Sequence, residues 1–149
     1  MFGFPHHIDL TVQDLEVSVP FYEIVLNRLG YRRTGVYAGT SPCWAYVAAE
    51  APDFSIALHQ AVSAGEHDRY VPGLHHLAFH AQTRQEVVSF FEFLLDNDIT
   101  VLDPPAEYDY TQGYYAVFFA DPDGIKLEVV YEPNATPIAG QQKDQTVAE

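Results

Sequence analysis

Cysteine is nearly absent from this sequence of 149 residues: Cys43 stands alone. One thiol forms no intrachain disulfide and builds no cysteine-based zinc site. Cys43 also has no neighbouring base in sequence, so it reads as a small packed side chain. Basic residues are scarce too, with seven Lys and Arg against 21 Asp and Glu and a formal charge of −14. A chain of that sign is repelled by nucleic acid and by anionic membranes. No segment approaches the roughly 20 consecutive apolar residues of a membrane-spanning helix. The opening MFGFPHHIDL lacks the basic and apolar regions of a secretory signal, so the expected location is the cytoplasm. What the chain does have is apolar material. Hydrophobic residues make up 48% of it and aromatics 14%, enough to form a core and to argue against disorder.

The sequence repeats itself at a shift of 69 residues. His6-His7-Ile8 falls on His75-His76-Leu77, and Gln13 on Gln82. Phe21-Tyr22-Glu23-Ile24-Val25-Leu26 falls on Phe90-Phe91-Glu92-Phe93-Leu94-Leu95. Tyr46 falls on Tyr115, Ile56 on Ile125 and Leu58 on Leu127. The register holds at both ends without a gap, so two copies of one unit follow each other. Module one covers residues 5–60 and module two 74–131, together one domain over 1–132. Residues 133–149 read as a polar tail.

Each copy reads as a strand, a helix and three strands. In the first, His6 to Val12 alternates, and a helix follows over Ser18 to Leu29. Pro20 is then acceptable as a first-turn residue, and Gly30 is a stop signal. Strands fit Tyr31–Val36, Trp44–Ala48 and Ser55–Gln60. In the second, Leu74–Ala81 alternates and Thr83-Arg84-Gln85-Glu86 is a capping box. Behind it runs an apolar helical stripe of Val87, Phe90, Phe91, Leu94 and Leu95. Ile99–Leu102 is a short strand ended by Pro104-Pro105. Tyr114–Ala120 and Ile125–Tyr131 are strands joined at Asp121-Pro122-Asp123-Gly124. The fold class is α+β, with two βαβββ modules forming a cup-shaped mixed sheet and helices on its outer face.

Strand alternation then sorts side chains. Ile8, Leu10, Leu77, Phe79, Leu127 and Val129 face the helices. His7, Asp9, Thr11, His59, His76, His80 and Glu128 face the opposite, concave side. The repeat equates His7 with His76 and His59 with Glu128, and pseudo-twofold symmetry would gather these four. Imidazoles with a carboxylate suit Zn, Ni, Co, Mn or Fe(II) rather than Ca or Mg. His59 depends on the first module closing in the register of the second. His6, His67 and His75 read as ordinary wall or loop residues.

The run from His7 to Asp14 followed by Phe21-Tyr22-Glu23, the second opening His76-Leu-Ala-Phe79 and the closing Asp121-Pro-Asp-Gly-Ile-Lys-Leu-Glu128 resemble the vicinal oxygen chelate superfamily. That group holds glyoxalases, bleomycin-resistance proteins and extradiol dioxygenases. The resemblance implies paired βαβββ modules around one divalent metal (Zn, Ni, Mn or Fe(II)), with His7, His76 and Glu128 as ligands and His59 where a fourth can stand. It implies a metal-dependent enzyme of lyase or isomerase type that chelates neighbouring oxygens of a small substrate, with Glu128 as the proton-exchanging group. The alternatives are a non-catalytic drug-binding protein and a ring-cleaving dioxygenase. The position where ring-cleaving members carry a tyrosine is Phe118, which lowers that reading. No basic cradle lies between Glu107 and Tyr115, which lowers a thiol-transferase reading. Asp9, Tyr46, His80, Tyr110 and Tyr115 are the expected pocket residues, with Tyr108 and Tyr114 as further mouth candidates and the loops 61–73 and 106–114 as lids. A homodimer is expected, its cup closed within one chain or by exchange of modules.

Overall fold

The computed structural model describes residues 3–37, 41–46 and 54–133. The element order is β1 (His7–Val12), α1 (Leu15–Arg28), β2 (Tyr31–Tyr37), β3 (Ser41–Tyr46), β4 (Ser55–Gln60), then β5 (Leu77–Ala81), α2 (Arg84–Asp96), β6 (Val101–Glu107), β7 (Tyr115–Ala120) and β8 (Lys126–Tyr131). The expected tail from 134 onward lies outside the described residues, as does the stretch 47–53 that follows β3. No described helix is long and apolar enough to cross a membrane.

The repeat is a structural one. Each module forms a four-stranded mixed sheet, with strand order β1-β4-β3-β2 in the first and β5-β8-β7-β6 in the second. The outer pair is parallel in both (Thr11 opposite His59, Ala78 opposite Glu128), and the other pairs are antiparallel. The two sheets are separate. Their helix-facing sides share one core, in which Leu10, Tyr22, Trp44 and Leu58 join Phe79, Val87, Phe119 and Leu127. The rings of Tyr31 and Phe79 meet edge to face across the modules, 6.0 Å apart. The faces carrying the histidines are therefore turned away from this core.

Local chemistry explains the element ends. The Asp14 side chain accepts from the Glu16 amide at 2.9 Å and starts α1 at Leu15, three residues before the expected start. Pro20 thus lies in the second turn, not the first. It leaves a backbone carbonyl without its helical donor, and the exposed side chain causes no packing conflict. Gly30 closes the helix with φ of +93°, a conformation free of strain only for glycine. Thr83 caps α2 by accepting from Glu86 N at 3.1 Å, while the Glu86 side chain accepts from Gln82 N at 2.6 Å. The expected short strand before Pro104 is instead a seven-residue edge strand that continues to Glu107. Register shifts at Val101/Asp103 and Asp103/Ala106 take up the two prolines, which an edge strand tolerates because its outer amides need no partner.

One polar bridge ties the modules inside the core. The Tyr22 hydroxyl donates to Asp121 Oδ2 at 2.9 Å, and both residues are buried. Asp121 Oδ1 accepts from the amides of Asp123 and Ile125 at 2.9 and 2.8 Å, which folds the Asp-Pro-Asp-Gly turn. Beside it, Gln13 N donates to Asp123 Oδ2 at 2.8 Å.

Candidate functional site

Glu128 is the deepest polar side chain of the second module. Strand alternation on β8 places Leu127 and Val129 in the core and Glu128 on the other face, where only 1% of it is exposed. Burying a carboxyl group without partners is costly, and both of its oxygens have one. His76 Nε2 lies 3.2 Å from Oε2, and Tyr114 donates its hydroxyl to Oε1. Burial first, and then the hydrogen bond to Glu128, push the Tyr114 phenol well above its ordinary pKa. Tyr114 therefore stays protonated, as a donor must. Gly113, with φ of +81°, makes the turn that brings Tyr114 inward.

The hairpin end before Tyr114 supplies an aromatic wall. Tyr108 and Tyr110 stack 5.6 Å apart with planes 6° from parallel, and Tyr110 meets Tyr114 edge to face at 5.2 Å. Tyr108 also packs on Phe118 at 5.3 Å. An open cleft of about 430 Å³ lies along this hairpin, lined by Tyr108, Asp109, Gln112 and Tyr114 among others. Phe118 stands directly opposite Glu128 on β7 and meets the His76 ring edge to face. Lys126, two residues before Glu128, lays its ammonium over the Phe118 ring, 3.8 Å from the centroid.

The first module repeats part of this arrangement. His7, Asp9 and Thr11 occupy the exposed face of β1. His59 on β4 is hydrogen-bonded at both ring nitrogens, Nε2 to Asp9 Oδ2 at 3.1 Å and Nδ1 to Ser41 Oγ at 3.0 Å. The preceding histidines repeat as well. His6 Nδ1 lies 2.9 Å from His7 Nδ1, and His75 Nδ1 lies 2.7 Å from His76 Nδ1. In both modules the first histidine holds Nδ1 of the second, and in module two Nε2 of that second histidine is the atom that meets Glu128. Desolvation, then the charges of His76, Lys126 and Arg69, pull the His75 imidazole below its ordinary value.

The predicted ligands fall into two groups. His76 and Glu128 meet on the second sheet, while His7 and His59 stand on the first. Among the described residues no three His, Cys, Asp or Glu side chains converge as a metal site. Within one chain, the four are therefore not gathered as symmetry led one to expect, because the modules join through their helix sides. Of the expected pocket residues, Asp9 holds His59, His80 follows Ala78 on the exposed face of β5, and Tyr110 belongs to the aromatic wall. Tyr46 and Tyr115 lie on the other side of their sheets. Tyr46 packs on Tyr31 at 5.1 Å, and Tyr115 borders the core under the Arg84 guanidinium. Alternation from the core residues Trp44 and Val117 places both tyrosines there. The Tyr114 contact with Glu128 could not be singled out in advance, since nothing in sequence separates it from the other loop tyrosines.

Comparison with known proteins agrees with this architecture. Residues 5–129 match the model of the Glyoxalase/Bleomycin resistance protein/Dioxygenase superfamily. The uncharacterized protein YqjT of Bacillus subtilis (strain 168) is 36% identical over 132 residues, covering 84% of this chain and 96% of that protein. A crystal structure described as a candidate glyoxalase from Bacillus halodurans superposes with a TM-score of 0.72 at 26% identity, covering 88% of this chain and 97% of the other. A glyoxalase/bleomycin resistance protein from Albidiferax ferrireducens T118 gives 0.64 at 26% identity, over 86% and 98% of the two chains.

Proposed function

The chain belongs to the Glyoxalase/Bleomycin resistance protein/Dioxygenase superfamily, and from that membership we propose that it is a metal-dependent enzyme acting on neighbouring oxygens of a small substrate. The observation that carries the reading is the pairing of His76 with Glu128. A buried carboxyl oxygen and an accessible imidazole nitrogen stand 3.2 Å apart. Two ligands of one ion, at bonds of about 2.0–2.1 Å, come to a similar separation. The donors are nitrogen and oxygen, which suits a Zn, Ni, Mn or Fe(II) ion. His75 holds the other nitrogen of His76, as the outer partner of a ligating histidine does.

In this reading His7, His76 and Glu128 hold the ion, two histidines and one carboxylate. His59, whose ring nitrogens meet Asp9 and Ser41, keeps the place where a fourth ligand can stand. His7 comes from a second chain. The histidine-bearing faces point away from the shared core, so module one of one copy covers module two of another in a symmetric homodimer. Exposed apolar side chains lie near those faces: Phe4 shortly before β1, Tyr70 against His75, and Tyr110 on the aromatic wall.

When bound, the ion supplies Lewis acidity toward the substrate oxygens. The protein does the rest. Glu128 is the proton-exchanging group, with Oε1 held by Tyr114 and Oε2 facing His76. Tyr114 fixes the carboxyl plane through Oε1. Tyr108 and Tyr110 wall one side of the approach. The chemistry is of lyase or isomerase type. The stacked tyrosines also favour a second reading, a non-catalytic binder of flat molecules, which needs no ion. The test is metal analysis of protein expressed with Mn, Fe, Ni and Zn supplied in turn. One ion per chain, absent from His76→Ala, is expected. A wild-type protein that binds none, with no rise in thermal midpoint on adding any of them, would sink the enzyme reading.

A further inference from the structure

Among the described residues Lys126 has no carboxylate partner, in a chain where acidic residues outnumber basic ones 21 to seven. Among the described residues, Arg33 pairs with Glu23 and Arg84 with Glu107, while Lys126, like Arg28, Arg32 and Arg69, has no ion pair. Alternation along β8 puts its side chain on the same face as Glu128. Glu128 does not take it, because its two oxygens already have His76 and Tyr114. The ammonium instead rests on Phe118, whose ring borders His76. A cation over an aromatic face is held in position there, yet its N–H groups remain available. Arg69 is a second cation near the histidine pair, packed on Tyr70, whose ring meets His75 at 5.8 Å. The continuous series Arg69, Tyr70, His75, His76, Phe118, Lys126 thus links two positive charges to the surroundings of Glu128.

Resting on the site assignment above, we propose that Lys126 is the specificity-determining residue of this site, and that the substrate carries a carboxylate apart from the oxygens that meet His76 and Glu128. Positions two apart on a strand are about 6.6 Å apart along it. The extra carboxylate therefore lies only a few bonds from the reacting oxygens, as in a small hydroxy- or oxo-dicarboxylate. A neutral or cationic substrate would leave a desolvated ammonium facing it without compensation. The local cations also resolve the apparent conflict between an anionic substrate and an acidic protein: the overall charge sets the far field, whereas Lys126 and Arg69 set it at the mouth.

The test compares malate with lactate, which differ by one carboxylate and share the neighbouring hydroxyl and carboxylate oxygens. Affinities are measured by chemical-shift titration on metal-free protein and by calorimetry on Mn(II)-loaded protein. Wild type should prefer malate by about tenfold in both states, the scale of one charge-assisted hydrogen bond. Lys126→Met should lose the preference while keeping its metal content, and Lys126→Arg should retain it. No preference in metal-free wild type, its survival in Lys126→Met, or its loss in both variants overturns the proposal. Absence of metal from wild type overturns only the metal-dependent reading, since the carboxylate preference is read without metal.

Discussion

Replacing Tyr22 by phenylalanine removes one oxygen from the centre of the molecule and should have a pH-dependent cost. The Tyr22 ring is fully buried, and its hydroxyl is the partner of Asp121 Oδ2, itself only 5% exposed. Phenylalanine fills nearly the same space, so packing is unchanged and the loss is that of a hydrogen bond to a buried carboxylate. Such a bond contributes about 1.5–3 kcal/mol, which lowers the thermal midpoint of a domain this size by roughly 4–10 °C. Burial raises the Asp121 pKa above 3.8, against the lowering effects of its hydrogen bonds from Ile125, Tyr22 and Asp123. A raised folded-state value means that the contribution of protonated Asp121 is fully present below pH 3.8 and lost as pH rises through the folded value. Without the Tyr22 hydroxyl that value rises further, so the loss on going to neutral pH becomes larger. Urea unfolding of Tyr22→Phe and wild type at pH 7 and near pH 4 tests this. The difference should be largest at pH 7 and shrink at the lower pH. An equal cost at both, or none at pH 7, would refute the assignment of Asp121 as a buried carboxylate sustained by Tyr22.

Two other perturbations probe the packing and the site. Leu94→Ala opens a cavity beneath a fully buried position on α2 and should cost about 2–5 kcal/mol in urea unfolding; a loss under 1 kcal/mol would place Leu94 outside the core. Gly113→Ala adds a Cβ that meets Pro133 Cγ at 2.9 Å, at a residue with φ of +81°. It should destabilise the hairpin by about 1–3 kcal/mol and release Tyr114 from Glu128, seen as a fall in the Tyr114 pKa by NMR. An unchanged Tyr114 titration would show that this turn does not hold the phenol in place.

Much of the fold is legible because the repeat is carried by residues with one strong structural meaning. The alternation of Ile8, Leu10 and Val12 and the stripe of Val87, Phe90 and Leu94 each permit one burial pattern, and all six positions pack into the core. The ends of elements are less legible. Asp14 starts α1 at Leu15, so Pro20, expected in the first turn, falls in the second; an N-cap acts at the helix start while a proline costs one bond inside it. Pro104 and Pro105 read as a strand end, but they sit on an edge, where bulges absorb them. Strand parity brings His76 and Glu128 to one face, as Glu128 beside Ala78 requires. It says nothing about which face of module one lies opposite. Local alternation cannot carry that information, because it is set by how the modules pack through Tyr22, Tyr31 and Phe79. Tyr114 is likewise invisible among its neighbours, since only the turn at Gly113 selects it.

Whether an ion is held by His7 of one chain with His76 and Glu128 of another is tested by mixing two variants that each lack one ligand. His7→Ala and His76→Ala homodimers should each be empty of metal. After subunit exchange, the mixed dimer contains one intact site, formed by His7 of the His76→Ala chain with His76 and Glu128 of the His7→Ala chain. Metal analysis of the isolated mixed dimer should therefore give about half the wild-type occupancy. A mixed dimer as empty as its parents would contradict the account and place each site within a single chain.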